Sequence, residues 1–211
     1  MTRLLLLFLL SLIACSECPE KVPPFTWETI QGREERDESI YALRRPVYRI
    51  KVPKQWKKIE PKSHESLIDT TQPNAVFCID ESLKFTIHTF PNAGWQERIP
   101  PLAQVERWKK QLGSDNILIE PISHGGFAGY FFKGEKEEKG ILGWSLSLDP
   151  ELYQNLLYLG QSSEEQEFYR QMSADVTLKI SGPISLLKKH QKDLVMAAKS
   201  FELIQSLPIL K

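Results

Sequence analysis

The 211-residue sequence has no excess of either charge and few cysteines. It contains 27 basic and 27 acidic residues, which argues against a nucleic-acid binder, because such proteins normally carry a basic excess. Three cysteines are too few for a disulfide framework. Internal repeats and low-complexity tracts are absent, and no long apolar run follows the N-terminus, so we expect no internal transmembrane helix. With 41% hydrophobic and 26% charged residues, the composition is typical of a globular protein.

The sequence also lacks the spaced ligands and nucleophile motifs of most catalytic sites. Its histidines are scattered, with no H-x-x-x-H or H-E-x-x-H spacing, so we expect neither a metal ion nor a cofactor. Gly143-Trp144-Ser145 departs from a nucleophile elbow, because it lies within a predicted strand and has Ser147 where the second glycine belongs. His124-Gly125-Gly126 is predicted to be a turn rather than an oxyanion loop. We therefore expect a protein that is not an enzyme, with a cryptic hydrolase as the third alternative.

The N-terminus resembles a bacterial lipoprotein signal. Arg3 precedes an apolar run over residues 4–13, which is too short to span a bilayer but has the length of a signal-peptide core. The run ends in Leu12-Ile13-Ala14-Cys15. The resemblance implies cleavage after Ala14 and acylation of Cys15 by a diacylglyceryl group and a further chain such as palmitate. Ser16 favours the outer membrane, because Asp at this place is typical of inner-membrane retention. An ordinary secretory signal is the alternative.

The remaining cysteines leave two alternatives open. A lipidated Cys15 has no free thiol, so its C-x-x-C spacing with Cys18 does not indicate redox or metal chemistry. Cys18 and Cys78 could form a disulfide in an oxidising compartment such as the periplasm. Cys78 lies in an apolar segment, 76–79, and we favour a buried free thiol over that disulfide.

Four regions follow from the composition along the chain. Residues 1–14 are the predicted signal peptide, and residues 15–40 are predicted to be a lipidated N-terminus and flexible tether. Prolines interrupt that tether, and residues 33–38 are all charged. Residues 41–206 are predicted to form a single globular domain, followed by a tail over 207–211.

Hydrophobic periodicity predicts an α+β domain. Alternating apolar residues predict strands at 48–52, 77–79, 83–88, 117–120 and 176–180, and a hairpin of 127–133 with 141–148 around a loop at 134–140. Two amphipathic helices are predicted: Pro100-Pro101 opens one that ends at Gly113, and Gly182-Pro183 opens one that extends to Phe201. Asp149-Pro150-Glu151 begins a helical insertion over 149–173. Neighbouring strands joined by short turns predict a mostly antiparallel sheet with helices on its faces.

Three segments resemble PsbP-like domains. Residues 48–56, YRIKVPKQW, resemble the strand-Pro-x-x-Trp opening of these domains, and residues 175–183 with the following helix resemble their closing strand and helix. Residues 105–113, VERWKKQLG, are similar to a helix of a bacterial secreted group with that architecture. The resemblance covers most of 46–202 and implies an α/β/α sandwich. Its members include an extrinsic photosystem subunit and a Ran-binding import factor, and are mainly accessory or binding proteins. The insertion at 149–173 departs from them, and is either a partner surface or a surface insertion without a role.

Charge is most uneven between residues 44 and 62, where eight basic residues face only Glu60. This segment could meet an acidic partner or anionic lipid headgroups, and its alternative role is to protect a strand edge from aggregation. The candidate partner surface comprises Arg44, Arg45, Arg49, Lys51, Lys54, Lys57 and Lys58. The sequence therefore favours a lipid-anchored accessory protein of the bacterial envelope that acts by protein–protein contact at the membrane surface. The alternative is a binder of a small molecule or an envelope lipid.

Overall fold

A computed structural model describes residues 24–33, 45–59, 71–90, 98–149, 153, 155, 162, 165, 168–169, 171–205 and 207. The strands are β1 (Phe25–Gln31), β2 (Pro46–Pro53), β3 (Lys57–Ile59), β4 (Ala75–Cys78), β5 (Lys84–Phe90), β6 (Ile117–His124), β7 (Phe127–Lys136), β8 (Lys139–Ser147), β9 (Asp175–Pro183) and β10 (Glu202–Leu203). The helices are α1 (Pro101–Leu112) and α2 (Ile184–Lys199). The signal peptide, Ala14, Cys15, Cys18, Arg44 and most of the insertion at 149–173 lie outside the described residues.

The larger of two sheets has seven strands in the order β3-β4-β5-β9-β8-β7-β6, and every neighbouring pair is antiparallel. Its strands form where apolar residues alternate. In β5, for example, Phe85 and Ile87 are buried while His88 between two buried neighbours is only half-buried. Proline before α1 and left-handed Gly113 after it mark the helix ends that the sequence predicted. The α+β class with antiparallel sheets is confirmed.

The two helices cover opposite faces of the seven-stranded sheet. Trp108 of α1 lies against Gly143, where an added Cβ would come within 2.4 Å of the indole ring. Leu187 of α2 lies against Gly140, where an added Cβ would come within 2.9 Å of the leucine methyl group. Positions 140 and 143 of one strand point to opposite faces, since side chains alternate along a strand. β8 is therefore buried on both sides, in an α/β/α arrangement.

A second sheet has three strands in the order β1-β2-β10, and corrects the predicted tether. Residues 25–31, placed in the flexible segment 15–40 by the sequence, form β1 along the whole of β2. Arg33 follows the strand and is 1% exposed. It is the first residue of the charged segment 33–38, which predicts a flexible tether. Its guanidinium donates to the Thr89 carbonyl (2.9 Å) and to the Asn74 side-chain oxygen (2.9 Å). The folded unit thus includes residues well before position 41. The aromatic and β-branched side chains of Phe25–Gln31 favour a strand although charged residues follow them.

The β7–β8 hairpin is longer than predicted. The strands continue to Lys136 and Lys139, so the connection is the two-residue turn at 137–138 rather than a loop over 134–140. Gly140 therefore lies within β8. Glycine suits this position because the Leu187 side chain occupies the space that a Cβ would need. Of the described residues in the insertion, Asp149, Ser162, Met172 and Ser173 are not helical. The helical ones are Tyr153, Asn155, Glu165, Phe168, Tyr169 and Gln171.

Candidate interaction surface

The described basic residues of the predicted partner surface do not form one patch. Arg49 and Lys51 share the outer face of β2 and are exposed. Lys54 lies in the following turn, Lys57 lies on β3 of the other sheet, and Arg45 precedes β2 at its opposite end. Lys58 is half-buried, and its ammonium donates to the Thr29 carbonyl at 2.7 Å. Of the described residues in this set, Arg49, Lys51 and the nearby Lys54 lie at one end of β2 with exposed side chains.

An exposed tryptophan lies beside these cations. Trp27 on β1 is 47% exposed and pairs directly with Lys51, while Thr29 pairs with Arg49. Directly opposite residues of an antiparallel pair point to the same face of the sheet. The opposite face of β2 carries Tyr48, and its side chain is fully buried. We call the outer face the Trp27 surface, comprising Trp27, Thr29, Arg49, Lys51 and Glu202.

Arg49 holds the Trp27 surface together. Its guanidinium carbon lies 4.9 Å from the centre of the Trp27 ring, which is cation–π geometry. Its Nε donates to Glu202 on β10 at 2.6 Å. Because both charged side chains are largely solvated, this ion pair adds little to the free energy of unfolding. It does orient the guanidinium over the indole and offsets one positive charge. Among the residues that the structure describes, no carboxylate forms an ion pair with Lys51.

The C-terminal end of α2 borders this surface. The Lys51 backbone N–H donates to the Ser200 hydroxyl at 2.8 Å, so the strand and the helix end are joined. The β6–β7 turn packs here too, since a Cβ at Gly125 would lie 2.4 Å from the Phe201 carbonyl oxygen. Burial in this turn lowers the pKa of His124. The Phe201 backbone opposes part of this shift, and the positive charge of Lys199 adds a smaller lowering effect.

The chain also enters the folded unit beside the Trp27 surface. The Lys54 backbone N–H donates to the Pro24 carbonyl at 2.9 Å, immediately before β1 begins. Pro24 is therefore held at the end of the sheet where Lys54 and Lys51 lie. The sequence interpretation missed Trp27 because it was placed in the tether. The alternating aromatic and β-branched residues of Phe25–Gln31 are the signal that could have revealed it.

Catalytic and metal candidates give no assembled site in the part of the chain that the structure describes. Ser145 is buried in the middle of β8, and His124-Gly125-Gly126 is the turn between β6 and β7. No group of three or more His, Cys, Asp or Glu side chains that could hold a metal ion occurs among the described residues. No helix in the described ranges is both long and apolar enough to cross a bilayer. Cys78 is half-buried on β4.

One nearly buried polar cluster lies where β8 and β9 meet the residues before α1. Arg98 donates from Nε to one Asp175 oxygen at 2.8 Å and from a terminal nitrogen to the other at 2.5 Å. The Ser147 hydroxyl donates to the same carboxylate at 2.8 Å and accepts from Arg98 at 2.8 Å. Because Arg98 and Ser147 already occupy the carboxylate, the cluster fixes the ends of two strands rather than presenting an activated nucleophile.

Comparisons with known proteins concern the fold. No protein-family model matched the sequence, and no curated protein matched it. Among solved structures, the chain is similar to the solution structure of cyanobacterial PsbP (CyanoP) from Synechocystis sp. PCC 6803, with 10% sequence identity and a TM-score of 0.46. The similarity covers 88% of this chain and 95% of that chain. This neighbour has a PsbP-like fold, and the fold class of the present chain rests on the strands and helices described above.

Proposed function

We propose that the protein is a lipid-anchored accessory protein of the bacterial envelope that binds another envelope protein through the Trp27 surface. Cys15 carries the lipid after cleavage at Ala14, and Ser16 directs the protein to the outer membrane. The anchor confines the domain to the membrane plane, which raises its effective concentration toward membrane partners. The observation that carries the proposal is Trp27, which remains 47% exposed beside oriented Arg49 on an otherwise solvated sheet face.

The residue types of the Trp27 surface support protein binding. Tryptophan and arginine are enriched among the residues that dominate binding energy at protein interfaces. An exposed indole that is already held by a cation loses little conformational freedom on binding, and its apolar area is available for burial. Lys51 and Lys54 add positive charge beside it and favour an acidic partner.

The short linker supports a position close to the membrane. Residues 15–24 span at most about 30 Å when fully extended, because a residue contributes at most about 3.6 Å. With β1 beginning at Phe25, a lipidated Cys15 would keep Pro24 within that distance of the membrane. A partner for the Trp27 surface would be a membrane protein or a protein held at the membrane.

The anchor is tested by fractionation. We expect Cys15→Ala to release the protein from the membrane fraction and to abolish metabolic labelling with palmitate, because the acceptor thiol is lost. Cys18→Ala is the matched control, three residues along the chain, and should keep both properties. Firm membrane attachment of Cys15→Ala with an uncut N-terminus would contradict the lipoprotein assignment.

The partner is tested by cross-linking the lipidated protein in its membrane, with mass spectrometry of the products. We expect one envelope protein to be captured through peptides that contain Trp27 or Arg49, and to be lost in Trp27→Ala and in Arg49→Glu. Arg107→Glu, a charge reversal at an exposed site on α1, should keep the product. A product that survives both Trp27→Ala and Arg49→Glu in folded protein would remove the Trp27 surface from the proposal.

A further inference from the structure

An open groove lies beside the start of α2, whereas the Trp27 surface borders the end of that helix. It has a volume of about 470 Å³, which is within the range of small-molecule sites. The end of α1 contributes Gln111 and Leu112, β8 contributes Ile141, and the end of β9 contributes Ser181 and Pro183. Apolar side chains thus form one part of the groove, and its polar rim includes the exposed, oppositely charged Glu138 and Lys139 at the β7–β8 turn.

A half-buried lysine borders this groove. The Lys179 ammonium donates a long hydrogen bond of 3.5 Å to the side-chain oxygen of Gln111 and lies 5.5 Å from the centre of the Trp108 ring. No carboxylate in the described part of the chain lies within ion-pair distance of it. Burial lowers the pKa of Lys179, because the charged form loses water without gaining a counter-charge.

The neighbouring strand positions connect this ammonium to the groove. Lys179 and Ser181 lie two residues apart on β9 and therefore point to the same face, and they pair with Gly143 and Ile141 of β8. Glycine opposite the lysine leaves space that the Trp108 ring occupies, which keeps the lysine stem beside α1. The cation is thus placed next to the groove and next to its apolar residues.

We propose that this groove binds a small amphipathic anion, whose carboxylate meets Lys179 and Gln111 and whose apolar body lies against Leu112, Ile141 and Pro183. The negative group supplies the counter-charge that Lys179 lacks, and the apolar body covers the half-buried Leu112 and the exposed Pro183. This site is separate from the Trp27 surface, and it does not depend on the lipid anchor or on the protein partner.

Octanoate and octanamide are suitable probes, because they share the alkyl chain and differ in charge. Binding is measured by NMR on the chain from residue 15 with Cys15→Ser, from the shifts of the Leu112 and Ile141 methyl groups. We expect octanoate to shift these methyl groups and to bind about ten-fold more tightly than octanamide, since a partly desolvated charged contact distinguishes the two. Equal affinity for the two probes, or the absence of shifts at these methyl groups, would overturn the proposal.

Variants assign the preference to Lys179. We expect Lys179→Met to bind both probes equally, whereas Lys51→Met, on the other sheet, should keep the preference for octanoate. If Lys179→Met does not fold, as judged by circular dichroism, Gln111→Leu provides the second test and should weaken octanoate binding more than octanamide binding. Retention of the full preference in a folded Lys179→Met or Gln111→Leu variant would reject this assignment of the site.

Discussion

The two sheets differ in how many of their faces are covered. In the seven-stranded sheet, β8 is buried from Gly140 to Leu146, because α1 and α2 lie on opposite faces. In the three-stranded sheet, the inner face buries Tyr48 while the outer face leaves Trp27 and Arg49 in solvent. The covered sheet therefore supplies most of the core, and the half-covered sheet supplies a surface that is available for binding. Substitutions within the covered sheet should therefore lower the free energy of unfolding more than substitutions on the exposed face of the small sheet.

Removal of β1 should give the largest effect. A chain that starts at Tyr41, the boundary that the sequence predicted, loses the strand that pairs with β2 and loses buried Ile30 and Arg33. We expect it to lack cooperative thermal unfolding by circular dichroism, because the loss of about 5 kcal/mol or more approaches the stability of a whole domain. A chain that starts at Pro24 should unfold like the chain that starts at residue 15. Native-like unfolding of the chain that starts at Tyr41 would show that residues 24–33 are not part of the cooperative domain.

Gly143→Ala tests the covered sheet. The new Cβ would lie 2.4 Å from a ring carbon of Trp108, so α1 must move away from the sheet. We expect the free energy of unfolding, from urea denaturation, to fall by about 2 kcal/mol. Thr29→Ala on the exposed face of the small sheet is the comparison and should change it by less than about 0.5 kcal/mol. Similar losses at the two sites would contradict the contrast between the sheets.

Tyr48→Phe tests the buried face of the small sheet. The Tyr48 hydroxyl accepts a hydrogen bond from the Ser173 N–H at 2.8 Å and lies 3.2 Å from the Ser173 carbonyl. Burial strongly raises the pKa of Tyr48, so the neutral phenol is the form that persists. Its replacement leaves two buried backbone groups without their partner, and we expect a loss of about 1.5 kcal/mol in urea denaturation. Tyr130→Phe, at a half-buried site on β7, should cost less.

His124 should give the smallest effect, as a dependence of stability on pH. Its pKa is lower in the folded protein than in the unfolded chain, so the unfolded chain binds more protons near and below pH of about 6.5. The free energy of unfolding should therefore fall as the pH falls through this range. Denaturation at several pH values should show a shallower fall in His124→Gln and a partial reduction in Lys199→Met. An unchanged slope in His124→Gln would show that burial of this imidazole has no part in the acid response.

The covered sheet could be predicted because its strands alternate and its helices have continuous apolar stripes. β5 and β9 follow the alternation of Phe85, Ile87, Leu178 and Ile180, and α2 buries Leu194 as its stripe requires. β3 and β10 could not be found in this way, because three and two residues are too short for any period. Their pairing depends on residues far away in the sequence.

The candidate site was predicted only in part. Arg49 and Lys51 were identified from charge density, but density along the sequence does not show which cations share a face. Lys57 belongs to the other sheet, and Glu202, which neutralises Arg49, lies at the far end of the chain. The indole of Trp27 was missed because the charged residues that follow it indicated a flexible segment. Only the pairing of β1 with β2 brings it to the same face as the cations.

The order of strands in the small sheet also governs when it can form. β2 lies between β1 and β10, and its partner contacts reach from Lys51 to Ser200, across 149 residues of sequence. Contacts of such separation form late, since the loop that they close must first lose its conformational entropy. During synthesis, β1 and β2 are made early and β10 is made much later, so the small sheet and the Glu202 contact of Arg49 are completed only after β10 has been made.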